Sequence, residues 1–210
     1  MSSINNNRIL SIYKSRNTIL ELLKYQKYDI TEYAEFSINE IDAMYSNSQL
    51  DMLLTRETDK SKIYVKYFLN VKQIRQPNLD ELIDDLYTIE SVLTKKDTLI
   101  IIVGEEPNQP ILNIIKYLYD HDGIFIVMHN IQRLQYNILN HVLVPEVTIL
   151  TPPQVEELSK KYNLKNIMQL PEISRFDPQA LAICLRPGEV CELKRKSSTS
   201  MNYNYYRVCV

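Results

Sequence analysis

The sequence predicts an α+β protein in two parts, and three patterns carry that expectation. A strand, helix, strand succession between Thr98 and Met128 calls for parallel pairing with a right-handed crossover. Amphipathic helices with a 3.6-residue period come before it. From His141 onward, prolines cut the chain into short extended pieces that end in a hairpin. The first domain is expected to cover residues 1–139 and the second residues 140–210, without a long Gly/Ser linker between them.

The first element follows a cluster, Asn5 to Asn7, of the residue type that caps helices. Ile9, Ile12, Ile19, Leu20 and Leu23 then share one side of a helix that ends near Tyr25. Arg16 falls inside that apolar stripe, so it must snorkel to water or meet an acidic partner. Arg8, Lys14, Arg16, Lys24 and Lys27 face a single acid, Glu21. That makes this helix the best local candidate for touching phosphate, with a solvated face as the plainer alternative. Ser37-Ile38-Asn39-Glu40 has the form of a capping box and starts a short helix whose inner side holds Ile41 and Met44.

Leu50–Thr55 and Lys62–Val71 read as strands. The second alternates Ile63, Val65, Tyr67 and Leu69 against Tyr64, Lys66 and Phe68; with both faces partly apolar it belongs at the centre of a sheet. A helix starting at Leu79 carries Leu82, Ile83, Leu86, Ile89 and Leu93 on its inner side, and Asp80, Glu81, Asp84 and Asp85 lie near its positive end. Thr98–Val103 is a buried strand, Pro110 begins a helix stopped by Gly123, and Ile124–Met128 is the next strand. Leu134–Leu139 is expected to add one more. In the second part, Thr151-Pro152-Pro153-Gln154 starts a helix that runs to Asn163. Val190–Lys196 and Tyr203–Val210 form the hairpin around a polar loop, Ser197–Asn202, and its free edge can pair with a partner's strand.

Composition narrows the function classes. An apolar content of 45% and a charged content of 24% are ordinary for a folded chain. No apolar run approaches a membrane span, and Met1–Arg8 lacks the apolar core of a signal peptide, so no membrane role is expected. Cys184, Cys191 and Cys209 have no Cys-x-x-Cys spacing, which speaks against a disulfide framework or a zinc site and for a reducing compartment. A net charge of −2 gives no global grip on nucleic acid. With Gly104, Gly123 and Gly188 as the only glycines, no phosphate-cradling loop exists.

No constellation forms a convincing active site. His121, His129 and His141 are far apart and lack neighbours at metal-ligand spacing. Glu192-Leu193-Lys194 is the one catalytic decoy, because an acid-x-Lys pair joined by an upstream Asp can mimic a metal-dependent nuclease core. Arg186, Lys194, Arg195, Lys196 and Arg207 make the hairpin region basic against Glu189 and Glu192. That surface can face nucleic acid or an acidic groove on another subunit, or simply be solvated. Tyr203 and Tyr205 fall on one strand face and Tyr206 on the other, an arrangement better suited to an interface than to reading bases.

Val144-Pro145, Leu150-Thr151-Pro152, Leu158, Lys161-Tyr162, Gln169-Leu170-Pro171, Ile173, Asp177-Pro178, Ala180, Gly188-Glu189-Val190, Arg195-Lys196-Ser197, Tyr203 and Tyr206-Arg207 form a further pattern. Over His141–Val210, almost without gaps, it closely resembles the assembly domain of the subunit that eukaryotic nuclear RNA polymerases share as their fifth-largest chain, a domain that in archaeal polymerases makes up the whole corresponding subunit. Upstream the likeness is weaker but ordered: the first helix, Asp29-Ile30-Thr31, the Ser37-capped helix, and Asn137 to His141. The resemblance implies an N-terminal α/β jaw domain with a mixed sheet of nuclease-like topology that lacks working catalytic residues, and a small C-terminal α/β assembly domain. It implies a non-catalytic subunit of a DNA-directed RNA polymerase, with no cofactor, metal or small-molecule ligand.

The implied partners are the largest polymerase subunit and other polymerase subunits, with downstream DNA contacted non-specifically. Pro145, Leu170, Pro171, Asp177, Pro178, Gly188, Arg195, Tyr206 and Arg207 would serve partner binding, and Arg8, Lys14 and Arg16 would lie near DNA. The chain departs from the family pattern at Glu172, Glu192, Ser197-Ser198-Thr199 and Met201-Asn202, where lost bases and a gained acid predict a changed charge on the facing subunit. With the biased composition, this suggests a divergent polymerase of a large DNA virus, placed in the host cytoplasm and virion; a nuclear protist polymerase is the alternative. A metal-dependent nuclease and a free-standing polymerase-associated regulator are the competing readings.

Overall fold

The longest element, α1, spans Ser2–Tyr25 and buries Ile9, Ile12, Ile19, Leu20, Leu22 and Leu23, in a computed structural model that describes residues 2–70 and 73–210. The chain divides into two compact units, Met1–Asn137 and Ile138–Val210. Because α1 is already helical from Ser2, the Asn5–Asn7 cluster lies inside it and does not cap it. Packing further along the helix carries the backbone through a stretch of poor helix formers.

Arg16 meets neither water nor an acid. It is 1% exposed, its Nη1 donates to the Leu50 carbonyl at 3.0 Å, and its guanidinium lies 5.4 Å from the Phe36 ring and 5.8 Å from the Tyr33 ring. The position within the stripe points the side chain into the core, too deep to snorkel, and the ring faces stand in for a counter-charge. Nε and Nη2 find no hydrogen-bond partner, and burial holds the group below its ordinary pKa. Desolvation of an unpaired cation outweighs one backbone bond and two ring contacts. Arg16→Met is therefore expected to stabilise the protein by about 1–2 kcal/mol in a denaturant titration. A loss of stability would mean that the guanidinium contacts win.

The first sheet has the order β1-β2-β3-β4, with β1 at Met52–Thr55, β2 at Lys62–Phe68, β3 at Thr98–Val103 and β4 at Phe125–Asn130. β1 and β2 are antiparallel, whereas β2/β3 and β3/β4 are parallel, so β2 sits inside the sheet. The expected end of that strand at Val71 lies outside the described residues. Helix α2, Ile38–Ser46, starts with the capping box: Glu40 Oε2 accepts the Ser37 amide at 2.7 Å while Ser37 Oγ accepts the Glu40 amide. Helices α3, Gln76–Ile83, and α4, Gln109–Tyr117, make the two crossovers and run on into π-helical turns. Gly123 ends the second at φ +73°, a conformation suited to glycine.

Both faces of this sheet are covered, and β3 is buried along its whole length. The Tyr67 hydroxyl lies 3.4 Å from Ser15 Oγ on α1, while Lys62 Nζ donates to the Val92 carbonyl beyond α3. These β2 positions differ by an odd number, so α1 and the crossovers lie on opposite faces. The strand expected at Leu134–Leu139 is absent. Two 3₁₀ turns, Arg133–Gln135 and Ile138–Asn140, take its place. Leu134 is buried, Leu139 packs against the core of the second unit, and the Gln135 side-chain amide donates to the Ser11 and Ile131 carbonyls at 3.1 and 2.8 Å, which holds the chain in a turn.

The second unit is built on a sheet of order β5-β7-β8-β6. Its strands are β5 at Glu146–Ile149, β6 at Glu172–Ile173, β7 at Val190–Ser197 and β8 at Met201–Cys209, and only β6/β8 is parallel. Helix α5, Pro152–Lys161, begins at a Thr151–Gln154 capping box, and the short α6 covers Pro178–Ala182. Strand alternation sends Cys191, Leu193 and Cys209 to one face, against Val147, Ile173, Ala180, Ile183 and Leu185. Val190 and Val208 go to the other, against Leu158, Leu170 and Ile167. The hairpin loop is shorter than expected, since β7 and β8 pair out to Ser197 and Met201.

Candidate functional site

The hairpin β7/β8 carries the most distinctive surface of the second unit. β6 covers β8 only at Val208 and Cys209, so the strand is an open edge only from Met201 to Tyr206. The amides of Val208 and Val210 donate toward β6, to the carbonyls of Pro171 and Ile173 at 3.0 Å each, while the Cys209 amide donates to the opposite side, to Glu189. By the same alternation, the N–H and C=O groups of Asn204 and Tyr206 point outward along the uncovered edge, while the Asn202 amide donates to the Ser200 carbonyl.

Next to this edge stands a cation, ring, cation stack. The Arg195 guanidinium lies 4.5 Å from the Tyr205 ring centre and that of Arg207 lies 5.4 Å from it. Cross-strand register makes this possible: Leu193 pairs with Tyr205, so Arg195 is the diagonal neighbour of the ring, and Arg207 follows on the same strand face. Arg207 is half-buried; its Nη1 donates to the Glu172 carbonyl at 3.1 Å and its Nε has no hydrogen-bond partner. Tyr206 faces the other way, 6.0 Å from the Tyr162 ring, and its hydroxyl donates to Glu192 Oε1 at 2.9 Å. Partial burial first, and then the Glu192 carboxylate, raise its pKa.

The other residues expected at a partner surface hold the fold of the unit. The Pro145 carbonyl accepts the Gln179 amide at 2.8 Å, and the Pro171 carbonyl accepts the Val208 amide. Asp177 caps α6 by accepting the Gln179 backbone amide at 2.9 Å, with Pro178 at the first helical position. Gly188 adopts φ +86° and donates to the Cys209 carbonyl at 2.9 Å, while Leu170 packs beside Leu158, Val190 and Val208. Tyr205, the centre of the stack, was legible only as one of two tyrosines sharing a strand face. Val142 and Leu143 carried no signal. They are 95% and 84% exposed, with the Leu143 amide donating to His141 Nδ1 at 3.2 Å, although an apolar run before a proline looks like core.

In the first unit, Arg8 and Lys14 are exposed, whereas Arg16 is enclosed and cannot reach a phosphate. Arg8 is held in place: its Nη2 donates to the Leu69 carbonyl at 2.7 Å and its guanidinium lies over the Tyr45 ring at 5.1 Å.

Among the described residues, no three His, Cys, Asp or Glu side chains gather to hold a metal ion, and no helix is long and apolar enough to cross a membrane. Glu192 accepts Asn204 Nδ2 at 2.7 Å as well as the Tyr206 hydroxyl, and Lys194 pairs with Glu146 at 3.2 Å, so the acid-x-Lys pair is tied up in sheet contacts. His129 is buried, the His121 ring lies 4.2 Å from that of Tyr117, and His141 sits in its own turn. This arrangement suits strand pairing and charge recognition.

Cys184, Cys191 and Cys209 form no disulfide. Cys191 and Cys209 are buried in one core face, and burial pushes their thiols up to about 11 and about 12 from an ordinary 9.0. The folded state therefore keeps these protons longer than the unfolded chain does. Their contribution to stability is full below pH ~9 and is lost as the pH rises through the folded values. In the native protein iodoacetamide is expected to label Cys184 first and to reach Cys191 and Cys209 only on unfolding. Equal labelling of all three in native buffer, read by peptide mass spectrometry, would contradict this packing.

The pattern of the RNA polymerase Rpb5, C-terminal domain, family matches residues 136–209. DNA-directed RNA polymerase subunit Rpo5 of Thermococcus kodakarensis is 50% identical over 78 residues, 37% of this chain and 94% of the relative. The Rpo5 of Pyrococcus abyssi is 45% identical over a stretch of the same length, again 94% of that protein. Subunit rpabc1 of DNA-directed RNA polymerases I, II and III of Dictyostelium discoideum is 27% identical over 204 residues, 97% of this chain and 98% of the relative. A stretch equal to 37% of this chain thus spans nearly the whole of the archaeal subunits at 45 and 50% identity, and the chain belongs to the Rpb5/Rpo5 family of DNA-directed RNA polymerase subunits.

Proposed function

We propose that the chain is a non-catalytic subunit of a multisubunit DNA-directed RNA polymerase, with residues 140–210 as an assembly domain that docks on the largest subunit and residues 1–139 as a jaw domain near downstream DNA. The observation that carries the docking reading is the hairpin surface. An uncovered strand edge from Met201 to Tyr206 offers backbone pairing, and the Arg195, Tyr205, Arg207 stack beside it offers selection for an acidic partner. Identity of 50% to an archaeal subunit over 78 residues, with the family pattern on residues 136–209, supports it. The jaw reading, with a nuclease-like topology, draws support from the parallel β2/β3/β4 core and from similarity to the Dictyostelium subunit over 97% of the chain. Its DNA contact is a weak, sequence-independent one through Arg8 and Lys14, whose exposed charges can meet phosphate.

A polymerase of a large DNA virus, acting in the host cytoplasm and carried in the virion, is the source we favour, on the ground of the altered charges at Glu172 and Glu192; a nuclear polymerase of a protist is the alternative. The test is a tagged pull-down from the native source at moderate salt, with stoichiometry read by mass spectrometry. The two largest polymerase chains are expected at near-equal molar amounts, and the accompanying proteins would identify viral or cellular origin. Salt-labile, sub-stoichiometric recovery would favour a free-standing regulator. Recovery of the chain alone, with metal-dependent nuclease activity that disappears in Glu192→Ala, would overturn the proposal.

A further inference from the structure

Two neighbouring parallel strands of the first sheet send the chain to opposite faces. After β3 the chain passes through Gly104 and Glu105 into α4, one of the two crossovers on the face that Lys62 reaches. After β4 it passes through Ile131 and Gln132 into the 3₁₀ turn at Arg133–Gln135, which is fastened to α1 on the other face by the Gln135–Ser11 bond. Chains that leave adjacent strand ends in opposite directions open a crevice at the carboxyl edge of the sheet, the place where open α/β sheets take ligands. A crevice of about 400 Å³ lies there, bordered by both loop segments, by Asn70 beyond β2 and by Arg8 and Ser11 of α1.

The lining limits what fits. Arg8 and Glu105 offset one another, so a strongly charged ligand gains little. Asn70, Gln132 and Ser11 supply donors and acceptors around an apolar wall of Leu69 and Ile131. Arg8 is fixed on the Leu69 carbonyl and over the Tyr45 ring, so its guanidinium is already ordered. Beside Gly104 the space is open, since a Cβ there would meet nothing within 4 Å. A flat, uncharged ring with donors and acceptors on its edge and apolar faces matches this set. We propose that the crevice at the carboxyl ends of β3 and β4 binds a nucleobase, carried by a free nucleoside or by an unpaired strand. This holds whether or not the chain docks on a polymerase.

The test follows ¹⁵N amide spectra of the full chain titrated separately with adenosine, with a short single-stranded oligoadenylate and with inorganic phosphate. Saturable shifts centred on Gly104, Glu105 and Gln132 are expected with adenosine, the oligonucleotide or both. A response to adenosine assigns a free nucleoside, and a response to the oligonucleotide alone assigns a base within a strand. Gly104→Leu is expected to weaken binding about tenfold or more, because its side chain occupies the space of the ring. Gln132→Ala serves as a second variant at an exposed position if the leucine disturbs the fold. No saturable shift at millimolar adenosine or oligonucleotide, a response to phosphate only, or undiminished affinity in both variants would overturn the assignment.

Discussion

Asp97→Ala is expected to destabilise the protein by about 3–4 kcal/mol, the largest single-residue effect on its stability that we foresee. The Asp97 carboxylate is 4% exposed and accepts the Lys62 amide at 2.6 Å and both the amide and hydroxyl of Thr94 at 2.7 Å. Lys62 opens β2, Asp97 immediately precedes β3, and Ile63 pairs with Thr98. One side chain thus joins the entries of two parallel strands whose pairing is distant in sequence. Alanine would take the shared acceptor from three donors at once, at a buried position that joins the two strand entries, although Thr94 itself is exposed. Asp97→Asn should recover part of the loss, because its single oxygen still accepts while its NH₂ faces donors. Denaturant unfolding followed by circular dichroism decides it; a change below about 1 kcal/mol would mean that water or a local shift replaces the carboxylate.

Arg207→Glu is expected to weaken incorporation into a polymerase by on the order of a hundredfold, since reversing a half-buried charge at an interface costs a few kcal/mol. The same substitution also removes the bond to the Glu172 carbonyl. A second variant therefore separates docking from folding. Arg195 is half-buried against the Tyr205 ring, so Arg195→Glu should leave the thermal unfolding of the unit nearly unchanged while lowering its share in a competition pull-down against the wild-type chain. The loss should shrink as salt is raised, because added ions screen the exposed part of the attraction. Unchanged incorporation of Arg207→Glu would remove Arg207 from the docking surface.

Local chemistry announced several elements before any contact was known. The Ser37 and Thr151 capping boxes, Pro110 in the first turn of α4, and Gly123 at φ +73° each act over a few residues, so sequence spacing alone marks them. The β-branched run Thr98–Val103 showed a strand buried on both faces. Leu134–Leu139 misled because Leu134, Tyr136 and Ile138 alternate with Gln135 and Asn137 as residues of a strand do, and a distant carbonyl, that of Ser11, decided for turns.

The same division runs through the candidate site. Alternation placed Tyr205 and Tyr206 on opposite faces, but the stacking of Arg195 and Arg207 on Tyr205 depends on a register between two strands. The two-residue cover that β6 gives to β8 left the open edge from Met201 to Tyr206. Arg16 is the plainest case. Its place in an apolar stripe was visible in the sequence, yet whether it reached water, an acid or a carbonyl depended on Leu50, Tyr33 and Phe36 from other elements.

By itself, then, the sequence determined the α+β class, the starts of α2, α4 and α5, the strand alternation and membership of a polymerase-subunit family, because these rest on short-range chemistry or on many residues at fixed offsets. The tertiary structure alone decided which basic residues are exposed, which strand edge stays open, and that β3 and β4 part to opposite faces around a crevice. Burial and register are set by side chains far apart in the chain, and no local pattern encodes them.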